Sequence, residues 1–221
     1  DGNLVDNGDG TWSLTIPAGN ALTENTYSVT ATVTDAAGNS TSDATSSELV
    51  IDTTAPATAP TVTALTTNDT TPTISGTATV GAGETLTVTV NGITYTAGDG
   101  NLVDNGDGTW SLTIPAGNAL TENTYSVTAT VTDAAGNSTS DATSSELVID
   151  TTAPATAPTV AAQTTNDTTP TISGTATVGA GETLTVEVNS VTYTAGDGNL
   201  VDNGDGTWSL TIPAGNALTE N

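Results

Sequence analysis

The chain contains no lysine, arginine or histidine beside its 25 acidic side chains, so nothing within it neutralises a formal charge of −25. That absence excludes nucleic acid as a partner, because displacing counterions from phosphates takes basic residues. Cysteine is also absent, so no disulfide supports a core drawn from only 34% apolar residues. No apolar run approaches the roughly 18 residues of a membrane span, and nothing reads as a signal peptide, so no membrane insertion is expected of these residues. Phenylalanine and methionine are missing as well, and without Lys or Arg there is no trypsin-type cleavage site. Nucleophile–base pairs are unavailable, which leaves only paired carboxylates of the glycosidase or aspartic-protease kind. Asp52-Thr53-Thr54 lacks the glycine of an aspartic-protease loop, and the acids fall in turns rather than a cleft. No enzyme is expected. A chain this acidic either tolerates self-repulsion or takes metal cations as its counter-charge.

What is present is repetition. Asp1 to Trp12 returns at Asp99 to Trp110 and again at Asp197 to Trp208, a period of 98 residues. Overlapping copies differ at five places: Thr63/Ala161, Leu65/Gln163, Thr89/Glu187, Gly92/Ser190 and Ile93/Val191. A catalyst needs one site on one scaffold, whereas near-identical modules in series supply length, spacing or multivalency.

Within the repeat, apolar residues alternate rather than recurring at helical spacing. Tyr125, Val127, Ala129 and Val131 face one way and hydroxyl residues the other; Leu86, Val88 and Val90 do the same, as do Trp110, Leu112 and Ile114. These are half-buried strands rich in β-branched residues. Their spacing predicts strands A (Thr61–Leu65), B (Pro72–Val80), C (Thr85–Val90), C′ (Ile93–Thr96), E (Thr109–Ile114), F (Thr124–Thr132) and G (Ser145–Ile149). Asn91-Gly92 signals a type I′ hairpin between C and C′, and Leu120 to Tyr125 looks like a tyrosine corner. Trp110 is expected in the core, Leu65 and Thr89 on outward faces, Ile93 at a core position, and Asp141 and Glu146 in solvent. The expected fold class is all-β: tandem immunoglobulin-like β-sandwich modules, Greek key, about seven strands each, in a linear array.

Asp52-Thr53-Thr54-Ala55-Pro56 and its copy Asp150 to Pro154 mark the module boundaries. Residues 53–150 form one complete module. Residues 1–52 supply the C-terminal part of a module (strands E to G), and residues 151–221 the N-terminal part of another (A to E). Together the two parts hold every strand, so the head of one chain is able to complete the tail of a neighbour.

Topology then places the charges. Strands running alternately away from and back toward the module's N-terminal pole put the B–C, C′–E and F–G loops at that pole. Glu84, Asp99, Asp104, Asp107 and Asp133 are thereby expected at one end, joined by Asp52 of the preceding linker. Several oxygen ligands with no cation nearby suit Ca²⁺, which takes six to eight. The other copies repeat the set as Asp6, Asp9 and Asp35, as Glu182, Asp202 and Asp205, and as Asp150 in the second linker. The C′–E loop fails the EF-hand template in spacing and lacks its bidentate Glu. It resembles one turn of a glycine-rich β-roll, a motif that works only in tandem. Acidic Asn/Gly turns also occur without any metal.

Val131-Thr132-Asp133-Ala134-Ala135-Gly136-Asn137-Ser138, then Val148 to Pro154, with Gly108-Thr109-Trp110-Ser111-Leu112 upstream, resemble the bacterial immunoglobulin-like repeats of giant secreted adhesins. These include type I-secreted RTX adhesins and biofilm-associated proteins. The resemblance covers every module. It implies calcium-rigidified extender domains at the cell surface that hold an adhesive tip away from the cell, with neighbouring identical modules as partners. It also implies junction ligands at the F–G and linker aspartates, here Asp133 with Asp52, and Asp35 with a linker upstream.

A ligand-binding module is the competing class, taking glycans or ice on outward threonine rows such as Thr85, Thr87 and Thr89. Threonines on a twisted sandwich are more often plain solvent face, and Glu187 interrupts the row in the next copy.

Overall fold

A computed structural model describes residues 2–220, in two compact units, Asp1–Thr151 and Thr152–Asn221. The complete module lies in the first. Its strands are β1 (Thr61–Val62), β2 (Leu65–Thr67), β3 (Thr73–Thr77), β4 (Thr85–Val90), β5 (Ile93–Thr96), β6 (Leu102–Asp104), β7 (Thr109–Thr113), β8 (Asn123–Tyr125), β9 (Val127–Thr132), β10 (Ser138–Ser140) and β11 (Leu147–Ile149). One four-stranded sheet runs β6-β7-β3-β1 and the other β5-β4-β9-β10, while β8-β11-β2 forms a third ribbon. The protein is an all-β immunoglobulin-like sandwich.

Alternation fixes what lies between the sheets. Ile74, Trp110 and Leu112 come from one sheet, Leu86, Val88, Val127, Ala129 and Val131 from the other, and all are buried. Trp110 is fully enclosed, as its parity with Leu112 requires, and its indole N–H donates to Thr61 O at 3.2 Å. The tyrosine corner is present: Tyr125 donates its hydroxyl to Thr121 O at 3.0 Å. Asn91 and Gly92 both have positive φ, 51° and 75°, as a type I′ turn needs. In the next copy Ser190 takes that position at φ 64°, a conformation a side chain adopts only at some cost. Outward threonines pair across strands, Thr61 with Thr77 and Thr89 with Thr94, through hydroxyl hydrogen bonds of 2.7 and 2.8 Å.

Strands C and C′ have the expected bounds, and the others depart from them in instructive ways. Strand A is two pieces: β1 pairs antiparallel with β3, and after Thr63-Ala64 the chain crosses so that β2 pairs parallel with β11. Strand F breaks at Ser126, with β8 pairing to β11 and β9 to β4 and β10. Strand G begins at Ser138, a stretch without apolar residues, and resumes at Leu147. The expected C′–E loop contains a strand, β6, held against β7 with Leu102 opposite Leu112 and Asp104 opposite Trp110.

Three burial expectations are corrected. Ile93 is 36% exposed rather than core, and Leu65 packs against the core rather than facing outward. Glu146 is not solvated: it is 6% exposed, because its Oε2 accepts the Val127 N–H (3.0 Å) where strand F breaks. Its own carbonyl accepts from Leu65 N at 2.7 Å, tying the crossing of strand A to that of strand G.

The flanking copies retain part of the strand set. In residues 2–52, Leu4–Asp6 pairs with Trp12–Leu14, Asn25–Tyr27 with Leu49–Ile51, and Thr32–Thr34 with Ser40–Ser42. Trp12 is 48% exposed there, whereas its copy Trp110 is 0% exposed. In the second unit, Thr171–Thr175 pairs with Thr207–Thr211, and Trp208, Leu200 and Leu210 are buried.

Candidate functional site

Most of the acidic residues singled out from sequence are engaged by their own loop. Asp133 accepts the N–H groups of Ala135 and Asn137 on Oδ1, both at 2.9 Å, and the Asn137 side-chain amide on Oδ2 at 2.9 Å. Asp35 repeats the arrangement with Ala37 and Asn39. Glu84 Oε2 accepts Gly81 N at 2.7 Å, and Glu182 accepts Gly179 N at the same distance. Asp99 closes the passage from β5 to β6 by accepting from Thr96, Asn101 and Leu102. Asp104 ends β6 and accepts from Gly106 N, while Asp107 accepts both the N–H and the hydroxyl of Thr109. Asp202 and Asp205 make the same turn, as do Asp6 and Asp9. Asp150 donates its N–H to Thr67 O at 2.9 Å. Among the described residues, no group of three or more carboxylates stands close enough to hold a metal ion.

These turns hold several aspartates below their ordinary value. For Asp133 the main cause is the Asn137 amide; for Asp107 and Asp205 it is the following threonine hydroxyl; for Asp99 it is the Leu102 N–H. A depressed folded-state pKa contributes stability that is complete above the unfolded value of 3.8 and lost as pH falls through the folded values. In chelator, the melting midpoint should therefore stay level from neutral pH to about pH 5 and fall below about pH 4. Relief of self-repulsion acts in the opposite direction. A midpoint that climbs steadily down to about pH 3 would show that repulsion dominates.

At the boundary the linker touches both modules. Asp52 Oδ1 caps Thr54 N at 3.0 Å, and Glu24 Oε2 accepts the hydroxyls of Thr53 (2.8 Å) and Thr54 (2.7 Å). From the following module, Asn137 Nδ2 donates to Asp52 O at 3.1 Å and Thr139 Oγ1 to Pro56 O at 2.6 Å. Pro56 and Pro60 are buried. The structure thus brings Asp52 and Asp133 to one shared atom, Asn137 Nδ2. Asn137 and Thr139 are the site residues that the sequence did not yield, and Asn137 lies four residues after Asp133 inside the quoted motif, a usable signal.

A family model described as "Bacterial Ig-like domain" matches residues 1–53 and 58–151. The chain belongs to the bacterial Ig-like domain family. The match spans both sides of the Asp52–Pro56 linker, so the contacts above lie between two bacterial Ig-like modules. No curated protein matches the chain. Among solved structures it is similar to the titin domains Z1Z2 in complex with telethonin, at 17% identity over 74% of this chain and 83% of that one. The TM-score of that likeness is 0.31.

Proposed function

We propose that these bacterial Ig-like repeats are non-catalytic, calcium-rigidified extenders of a large cell-surface adhesin, projecting an adhesive tip into the extracellular space for attachment or biofilm formation. The observation that carries this reading is the meeting of Asp52 O and Asp133 Oδ2 at Asn137, directly between two modules. Those oxygens suit a hard cation. The amide orientation of an asparagine is assigned from its hydrogen bonds, and the other orientation offers Oδ1 to the same place. Asp52, Asp133 and Asn137 would hold the ion, with main-chain carbonyls and water completing the set.

Asp150 and Asp35 are the copies of Asp52 and Asp133 and would play the same parts at their own junctions. Glu84, Asp104 and Asp107, with their copies Glu182, Asp202, Asp205, Asp6 and Asp9, are satisfied within their own turns and contribute charge rather than first ligands. When bound, calcium supplies the positive charge that this chain lacks and cross-links adjacent modules.

Extracellular modules bind Ca²⁺ at about 10⁻⁴–10⁻³ M, so the site would fill only outside the cell. Thermal melting with calcium and with EGTA tests the reading. The midpoint should rise with calcium; identical curves in the two conditions would remove calcium from the account. Neighbouring modules are the partners on this reading.

A further inference from the structure

The linker is gripped from both sides by hydrogen bonds that involve no ion. On the preceding side Glu24 Oε2 takes two adjacent threonine hydroxyls, Thr53 and Thr54. On the following side Asn137 and Thr139 reach two main-chain carbonyls, Asp52 O and Pro56 O, four residues apart. Carbonyls at fixed separation are read by donors at fixed separation, so this pair of bonds sets the register of the linker along the module as well as its proximity.

The donor on the Asp52 side is itself locked. Asn137 is held by Asp133 through both its main-chain N–H and its side-chain amide, and Asp133 is further tied to Ala135 N. The loop therefore presents the amide ready-made rather than ordering it on contact. The preceding half recurs at the second boundary, where Thr151 Oγ1 donates to Glu122 Oε2 at 2.8 Å.

We infer that Asn137 and Thr139, with Glu24 opposite, form a metal-independent latch that holds the junction in one orientation before any cation binds. Asn137 Nδ2 donates to the same two oxygens, Asp133 Oδ2 and Asp52 O, that the proposed calcium ion would take. The amide acts as a neutral stand-in for a cation in a chain that has no cationic side chain of its own. Calcium then replaces one tie by a stronger one at a junction already formed, instead of collecting modules that repel each other. This inference rests on the spacer reading of the repeats and sharpens what calcium would do in it.

The absence of cysteine makes paired spin labels straightforward. Labels at Ser46→Cys and Ala116→Cys, two exposed positions on either side of the linker, report the distance between modules in the full chain. In EGTA the otherwise unaltered chain should give one narrow distance distribution. The Asn137→Ala/Thr139→Val pair should broaden it several-fold, with Glu24→Ala broadening it less. Because Asn137 also braces its own loop, Thr139→Val alone is the control: it deletes one hydroxyl, should leave the melting midpoint unchanged, and should still widen the distribution. A distribution in EGTA as broad for the unaltered chain as for the double variant overturns the latch. Calcium narrowing the double variant supports the calcium site separately. Failure of calcium to narrow any variant sinks that site while leaving the latch intact.

Discussion

Gly76→Ala should unfold the complete module at temperatures where the unaltered chain is native. A Cβ at Gly76 would overlap Thr61 O and stand 2.7 Å from the Trp110 ring. Both neighbours are immovable for structural reasons. Thr61 is in β1, paired to β3, and its carbonyl already accepts the Trp110 indole N–H. Trp110 fills the centre of the core with no exposed surface into which it could swing. Overpacking at such a point costs about 3 kcal/mol or more, which for a module of this size lowers the midpoint on the order of 15 °C. Gly174 stands against Trp208 in the same way, so its alanine variant should unfold the second unit likewise. Gly117→Ala is the matched control, because nothing lies within 4 Å of a Cβ there and its φ is not positive. It should change stability by less than about 0.5 kcal/mol. Equal melting of the Gly76 and Gly117 variants would refute the argument.

Replacing Glu146 should separate the value of its shape from that of its charge. Glu146 Oε2 accepts the Val127 N–H, and Oε1 is buried with no hydrogen-bond partner. Burial is the largest influence on its acidity and acts upward. Hydrogen bonding, that of the Val127 N–H first, outweighs it, so the carboxyl sits below the ordinary 4.5 and the group is ionised at neutral pH. Glu146→Ala strands the Val127 N–H and opens a void beside Leu147, which should cost about 2 kcal/mol. Glu146→Gln keeps an acceptor for Val127 and removes a buried negative charge that no cation in the chain balances. Because the fold holds its pKa below the ordinary value, the native state favours the ionised form, so the Gln variant should melt slightly below the unaltered chain at neutral pH and well above the Ala variant. The gap should close as pH falls through the folded-state value of Glu146, where the unaltered chain loses the ionised form's contribution. Urea titrations of both variants at neutral and acid pH decide this. A Gln variant as unstable as the Ala variant would mean that the ionised carboxylate itself is required.

Much of the sandwich was legible because alternation reports faces directly. Strands Thr85–Val90 and Ile93–Thr96 could be read to the residue, since Asn91-Gly92 leaves one turn type open. Trp110 was legible through parity alone. A strand that changes sheets, however, leaves its alternation intact, so the crossings of A, F and G at Thr63-Ala64, Ser126 and Asp141 to Glu146 have no periodic signature. Ser138–Ser140 is a strand made entirely of hydroxyl residues, which copies the composition of a loop. Leu102–Asp104 is too short to alternate and ends in an acid that reads as turn. Glu146 looked solvated because the group that buries it, Val127 N, is 19 residues away and belongs to the backbone. The junction shows the same divide. Asp52 and Asp133 are visible as acids, but Asn137 and Thr139 act on main-chain carbonyls 85 and 83 residues distant, and carbonyls have no letter in a sequence.

The parallel pairing of β2 with β11 has a mechanical consequence. Leu65, Thr66 and Thr67 lie beside Leu147, Val148 and Ile149, with Leu65 N to Glu146 O and Asp150 N to Thr67 O bracketing them. Tension arriving through one linker enters near β2 and leaves after β11, at opposite ends of two strands pointing the same way. Once the two-residue ladder of β1 on β3 has given way, the load runs along the β2–β11 pair and pulls on its hydrogen bonds together, in shear, rather than unzipping them singly. The strand crossings that hid from the sequence are thus what would let the complete module bear a pull along the array.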